Sequence, residues 1–229
     1  MGKMILVRHG KSLWNVENIF TGWTDIDLAP VGIEEAKKAG ELIKKNNVSI
    51  DLCFSSYLKR AIRTAWLLME SCEQMHINTQ YHWKLNERHY GAWQGKKKDE
   101  VLQQLGEKEY WAVRRGYYSS PPKLESSDTK NPKFDANYKN IDFKLLPLGE
   151  SLEETSKRVI NYYLEAIVPE IVQGKTVLIS AHGNSLRALI GFIKNIPPNE
   201  MVQLSVSTGV PILFEFDNNL NLIETHQLD

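Results

Sequence analysis

Cysteine is almost missing from this chain: Cys53 and Cys72 are the two in 229 residues. They form no CxxC and no grouping with histidine, which argues against a disulfide framework and a thiolate metal site. Cys53 lies in the apolar run Asp51-Leu52-Cys53-Phe54, where a small buried side chain is expected. Net charge is missing too, because 28 lysines and arginines face 28 aspartates and glutamates. Without a global field, the chain has no general attraction for nucleic acid or an anionic membrane, and any anion must be held by a local basic cluster. No apolar stretch reaches the roughly 18 residues of a membrane span. Met1–Val7 is too short for the apolar region of a signal peptide. A GxGxxG or GxxxxGK[ST] loop is also lacking, which disfavours dinucleotide and P-loop chemistry. His76, His82, His89 and His226 show no HxxxH-type spacing, so no metal is expected. These absences leave a soluble, cytoplasmic protein with neither nucleic-acid nor membrane partners.

What is present is ordinary for a globular protein, with 42% hydrophobic and 24% charged residues. The length suits a single domain over residues 1–229. Met4–Val7 reads as a strand covered on both faces. Pro30 to about Asn46 has helical apolar spacing, with proline at the first position. Ala29 is then a poor N-cap, costing about 1 kcal/mol relative to serine or aspartate. Leu52–Ser55 predicts a second strand feeding a helix from Lys59 to about Glu70. Two further helices are expected over Lys98–Leu105 and Glu107–Arg115.

Gly116 to Gly149 lose all periodicity and carry Pro121, Pro122, Pro132 and Pro147. So long a loop without a second core beyond it reads as a lid. Ser151 and Glu154 form a capping box. The helix they open should run to about Val168, where Pro169 ends or kinks it. Thr176–Ser180 is the next buried strand, followed by a helix from about Ser185. Ile212–Phe216 and Leu220–Thr225 read as a hairpin about Asp217-Asn218-Asn219. Strands alternating with helices predict a three-layer α/β/α fold with a mostly parallel central sheet.

One pattern occurs twice. Val7-Arg8-His9-Gly10 follows the first strand, and Ala181-His182-Gly183 follows the strand at Thr176. Ligands bind in the crevice outside the carboxyl ends of such strands. If the two strands are neighbours, both imidazoles face one pocket. An isolated histidine is usually structural, but two histidine-glycine pairs at equivalent strand ends point to chemistry. Neutral imidazole is nucleophilic near pH 7. Phosphoryl transfer needs such a nucleophile together with cations around three charged oxygens, a task that suits guanidinium forks. Arg8 adjoins His9, and Arg60 opens a helix whose free amides also attract an anion. Glu87, in Leu85-Asn86-Glu87-Arg88-His89-Tyr90-Gly91, is a candidate general acid and base. Arg114 and Arg115 could clamp a carboxylate, although spacing alone reads them as surface charges.

These motifs carry a resemblance. Leu6-Val7-Arg8-His9-Gly10 resembles the RHG signature of the histidine phosphatase superfamily. Within it, Phe20–Asp25, Leu58–Ile62, Leu85–Gly95, Arg114-Arg115, Glu150–Leu152, Ser180–Leu189 and Thr208–Pro211 resemble the bisphosphoglycerate-dependent phosphoglycerate mutases. LNERHYG is far more specific than RHG, which many plain phosphatases share. The resemblance implies interconversion of 2- and 3-phosphoglycerate in glycolysis and gluconeogenesis, primed by 2,3-bisphosphoglycerate without a metal. By it, His9 is the phosphohistidine nucleophile and Glu87 the proton donor and acceptor. Arg8, Arg60 and His182 hold the transferring group. Gly10, Ser12, Asn15, Thr21, Gly22, Arg88, Tyr90, Lys98, Arg114, Arg115, Gly183 and Asn184 bind substrate. A homodimer or homotetramer is also implied.

The sequence departs from the family at Lys11, where glutamate or glutamine is usual, at Trp93 for leucine, and at Gly149 for threonine. It also stops at Asp229, where many members add a lysine- and alanine-rich tail that covers the site. A less covered pocket favours hydrolysis of a phosphohistidine over transfer. Two alternatives therefore stand beside the mutase: a phosphatase of the same superfamily, and a non-catalytic phosphate-binding scaffold.

Overall fold

In the computed structural model, which describes residues 2–229, β1 (Lys3–Arg8) runs through the middle of a six-stranded sheet. Met4, Ile5, Leu6 and Val7 are fully buried, so both faces of this strand are covered, as its unbroken apolar run requires. The chain continues through α1 (Leu13–Val16), α2 (Pro30–Lys45), β2 (Leu52–Ser55), α3 (Lys59–Ser71) and β3 (Thr79–Tyr81). Next come α4 (Lys98–Leu105), α5 (Glu107–Arg115), α6 (Leu152–Tyr162) and α7 (Val168–Val172). It ends with β4 (Thr176–Ala181), α8 (Gly183–Ile193), β5 (Ile212–Phe216) and β6 (Leu222–Gln227).

The sheet order is β3-β2-β4-β1-β5-β6. The first four strands are parallel, and β5 and β6 close one edge as an antiparallel pair. Side chains alternate between the two faces, as the period of a strand demands. Ile5, Val7, Cys53 and Leu178 pack on Ala39 and Ile43 of α2 and on Ala65 and Leu68 of α3. Met4, Leu6, Phe54, Val177 and Ile179 meet Leu152 and Val159 of α6 and Leu186 and Leu189 of α8. The three layers are therefore α/β/α, as the alternation of elements predicted.

Ala29 has no side-chain cap to offer α2. The chain is tied there instead by the Ala29 amide donating to the Lys11 carbonyl at 2.9 Å. The Ser151–Glu154 capping box forms as read, with bonds of 3.0 and 2.7 Å. Beyond α6 a π turn spans Tyr163–Ile167, and Pro169 sits in the first turn of α7. Proline has no N–H to give, and the wider turn absorbs the missing bond while the helix line carries on to Val172.

The short edge strand β3 was not foreseen. Helix α8 starts two residues before the expected Ser185, and β6 is shifted to Leu222–Gln227. No described helix is long and apolar enough to cross a membrane.

The segment 116–149, expected to be a lid, has local structure that its sequence did not announce. It is built from short 3-10 turns at Pro132–Phe134, Ala136–Tyr138 and Phe143–Leu145, capped by Asn131, Asp135 and Asp142. Tyr138 stacks on Trp23 at 5.1 Å and its hydroxyl accepts from Asn86 at 2.8 Å. The segment therefore buttresses the loop carrying Glu87 from behind, and none of its residues lines the cleft that holds His9 and Glu87. Its own aromatic and backbone contacts fix it there, and a polar loop rich in proline gave no sign of them.

Candidate active site

Strands β1 and β4 are direct neighbours, with Arg8 level with Ala181. The residues that follow, His9 and His182, thus leave the sheet at the same height. Their ring centroids lie 5.0 Å apart with planes inclined by 59°. The strands are neighbours as that reading required, but only the His9 ring lines the cleft.

His9 is buried, and its Nδ1 lies 2.7 Å from the Gly10 carbonyl oxygen. A carbonyl can only accept, so Nδ1 carries the proton and Nε2 keeps the lone pair. Burial, with Arg60 and Arg8 adding to it, holds the His9 pKa well below its ordinary value. The ring is therefore neutral at pH 7 and available as a nucleophile.

Nε2 accepts from Arg60 Nε at 3.3 Å. Arg60 is wholly buried and fixed by donations to the carbonyls of Gly22 at 2.8 Å and Thr24 at 3.1 Å. Burial lowers its pKa to about 10, which leaves it charged at neutral pH.

Arg8 donates through Nη1 to the Val206 carbonyl at 2.8 Å, while its Nε is buried without a partner. Such an orphaned donor, aimed from the end of β1, is what an anion would satisfy. His182 lies behind the wall and is fully buried, with Nε2 2.7 Å from the Ser56 hydroxyl. Its pKa is also held well below the ordinary value, first by burial and then by Arg60.

Glu87 sits opposite. Its Oε1 accepts from the amides of Asn184 at 3.0 Å and Arg88 at 2.8 Å. A Cβ on Gly183 would stand 3.3 Å from Arg8 Cζ, a tight fit, and 3.6 Å from Glu87 Oε2, so the backbone passes close to both groups.

The cleft has a volume of about 180 Å³. Of the residues expected there, Arg8, His9, Asn15, Thr21, Gly22, Arg60, Glu87, Tyr90, Lys98, Arg114, Arg115, Gly183 and Asn184 line it. Ile19, Phe20, Arg187, Ser205 and Val206 line it as well and were not anticipated. Arg187 had a signal: it lies three residues after Asn184, on the same face of α8, and donates to Asn184 Oδ1 at 2.9 Å. Ser205 and Val206 lie in coil and offered none.

Six cations thus surround one carboxylate in a chain of zero net charge, which is the local cluster the composition required. The crowding shows at Lys98, whose pKa is lowered to about 8 by burial and then by Arg114 and Arg8.

Besides His182, three expected residues lie outside the cleft wall. Gly10 packs on Gly32 and donates to the Thr64 hydroxyl at 3.1 Å. Ser12 caps α1 and accepts from the Asn15 amide at 3.2 Å, so it positions a wall residue without reaching the wall. Arg88 is fully buried and gives its guanidinium to the carbonyls of Glu150 at 2.6 Å, Val113 at 2.8 Å and Ser119 at 2.9 Å. With those donors spent on the backbone, it braces the site. Lys11 also turns away from His9, its amide bound to Glu35 at 2.8 Å and its ammonium 3.8 Å from the same carboxylate.

The chain is 44% identical over 229 residues to a 2,3-bisphosphoglycerate-dependent phosphoglycerate mutase of Nautilia profundicola, covering 100% of each chain. It is 43% identical over 228 residues to a protein of the same name from Staphylococcus carnosus, again covering 100% of both. Among solved structures, a mycobacterial hydrolase superposes with a TM-score of 0.73 at 20% identity, covering 100% of this chain and 97% of its own, a likeness of fold. The family model of the histidine phosphatase superfamily, branch 1, matches residues 4–229, and the chain belongs to that superfamily.

Proposed function

We propose that this chain is a 2,3-bisphosphoglycerate-dependent phosphoglycerate mutase that interconverts 3- and 2-phosphoglycerate through phosphorylated His9. The observation that carries the reading is the neutral His9 Nε2 set among Arg8 and Arg60, with the Glu87 carboxylate across the same cleft. Full-length relatives at 44% and 43% identity bear the mutase name and support it.

The chemistry follows from the residues. His9 Nε2 attacks phosphorus, and the P–O bond to the departing hydroxyl oxygen breaks. Arg60 and Arg8 meet the charge on the three equatorial oxygens, a fixed electrostatic stabilisation that needs no reorganisation. Glu87 gives a proton to the departing oxygen, then takes one from the hydroxyl that receives the phosphoryl group from His9. The remaining cations suit a carboxylate and a second phosphate, which makes the site a fit for the doubly phosphorylated primer. The primer supplies the first phosphoryl group to His9. Transfer belongs to glycolysis and gluconeogenesis in the cytoplasm, in keeping with two free buried thiols. Self-association as a homodimer or homotetramer is expected.

A coupled assay with 3-phosphoglycerate, run with and without 2,3-bisphosphoglycerate, tests the reading. Primer-dependent 2-phosphoglycerate supports it; free phosphate alone would assign a phosphatase. A His9 that takes up no phosphoryl group would revive the scaffold.

A further inference from the structure

Arg158 and Glu150 lie outside the cleft wall, yet their bonds converge on the segment that carries Glu87. The Arg158 guanidinium meets the Glu150 carboxylate through Nε at 2.6 Å and Nη2 at 2.9 Å. It also donates to the carbonyls of Lys84 at 2.7 Å, Asn86 at 3.0 Å and Glu87 at 2.9 Å. Glu150 takes the His89 amide on Oε2 at 2.7 Å, and its own amide returns to the His89 carbonyl at 2.9 Å. Trp23 adds an indole N–H to the Glu87 carbonyl at 2.5 Å. One ion pair, anchored in α6, thus holds the backbone of residues 84–89 on both sides of Glu87.

A buried ion pair is weak evidence of stability, because desolvation offsets most of the attraction. Its five bonds to one short loop make better sense as a means of fixing direction. Proton transfer to a departing oxygen requires the carboxylate within hydrogen-bond reach at the moment the bond breaks. A misplacement of about 1 Å can cost 10²-fold.

We infer that Arg158 and Glu150 are positioning residues that aim the Glu87 carboxylate at the bridging oxygen of the reacting phosphate. The inference rests on the role proposed for Glu87.

The test compares two leaving groups. A phosphoglycerate must depart as an alcohol and needs a proton. Nitrophenyl phosphate transfers its phosphoryl group to His9 with the electron pair of the broken P–O bond leaving on a stable nitrophenolate, which needs none. Mutase kcat with primer is measured on the wild type, Glu87→Gln, Arg158→Met and Glu150→Gln, and nitrophenolate release is followed in the first turnover with enzyme in excess, so that transfer of the phosphoryl group from His9 to water, which needs a base, does not enter. The expected result for Arg158→Met and Glu150→Gln is a fall in mutase kcat of about 10²-fold, with KM and nitrophenolate release within about threefold of wild type. Glu87→Gln should show the same split.

Equal losses in both assays, or none, for the Arg158 and Glu150 variants would overturn positioning while Glu87→Gln still shows the split. No split in Glu87→Gln would overturn its acid-base role and this inference with it. Glu150→Gln keeps the shape of the side chain, so it decides the matter should Arg158→Met fail to fold.

Discussion

His9 and His182 stand at the ends of adjacent parallel strands with their rings 5.0 Å apart, and each is the residue at which its strand gives way to a turn or helix. The rings are neighbours, but they are wired differently. His9 is tied to its own backbone and presents Nε2 to Arg60, whereas His182 commits Nε2 to Ser56. Only His9 lines the cleft, which fits the role of nucleophile proposed for it, while His182 is buried behind it. Replacing His9 by alanine should abolish turnover, by about 10⁴-fold or more. The melting temperature should move by only a few degrees, since one bond to Gly10 and one to Arg60 are lost. Mutase assay and thermal melt together check this, and a large loss of stability would mark His9 as structural.

The histidines also predict how stability depends on pH. Burial lowers the pKa of His9, His182, His82 (to about 4) and His89 (to about 3), with nearby cations adding to it in each case. The folded protein therefore holds these rings neutral below pH 6.5, where the unfolded chain takes up protons. Because the unfolded state binds more protons, stability rises with pH in this window and is lost as pH falls from 6.5 towards 4. The unfolding free energy, measured by urea titration, should fall steadily across that range. An NMR titration of the free protein should show neither His9 nor His182 changing charge near pH 6.5.

Lys98 supplies a second linkage. Its pKa of about 8 reflects burial and repulsion from Arg114 and Arg8, and an anion in the cleft would counter that repulsion. Binding 3-phosphoglycerate should raise that pKa, so the complex takes up protons between about pH 8 and 9. Calorimetry in buffers of differing ionisation enthalpy measures this uptake directly. Lys98→Met should remove it and weaken binding by roughly tenfold, the equivalent of about 1.4 kcal/mol.

Much of this was legible because it depends on local pattern. Unbroken apolar runs marked β1 and β4, the Ser151–Glu154 box marked the start of α6, and the paired histidine-glycine steps marked the site. What the pattern did not carry was long-range. β3 is three residues long and mostly exposed, so it has no periodicity to read. The segment 116–149 is placed by the stacking of Tyr138 on Trp23, a contact between distant parts of the chain. Arg88 shares a motif with true wall residues, and only the fold reveals that its donors go to the backbone.

That last distinction gives a prediction in which two arginines of one site behave oppositely. Arg88 satisfies three carbonyls in a fully buried position, so Arg88→Met strands acceptors that water cannot reach. At about 1–3 kcal/mol for a buried group left unpaired, the variant should lose several degrees in melting temperature or fail to fold. Any protein that does fold should keep a KM near wild type, since no substrate contact has been removed. Arg115 lines the cleft and is only partly covered, its pKa lowered by burial and by Arg114. Arg115→Met relieves that crowding, so the melt should hold or rise slightly while KM for phosphoglycerate climbs about tenfold or more. Steady-state kinetics beside thermal melts on the two variants separates bracing from binding. A raised KM with unchanged stability in Arg88→Met would return that residue to the substrate.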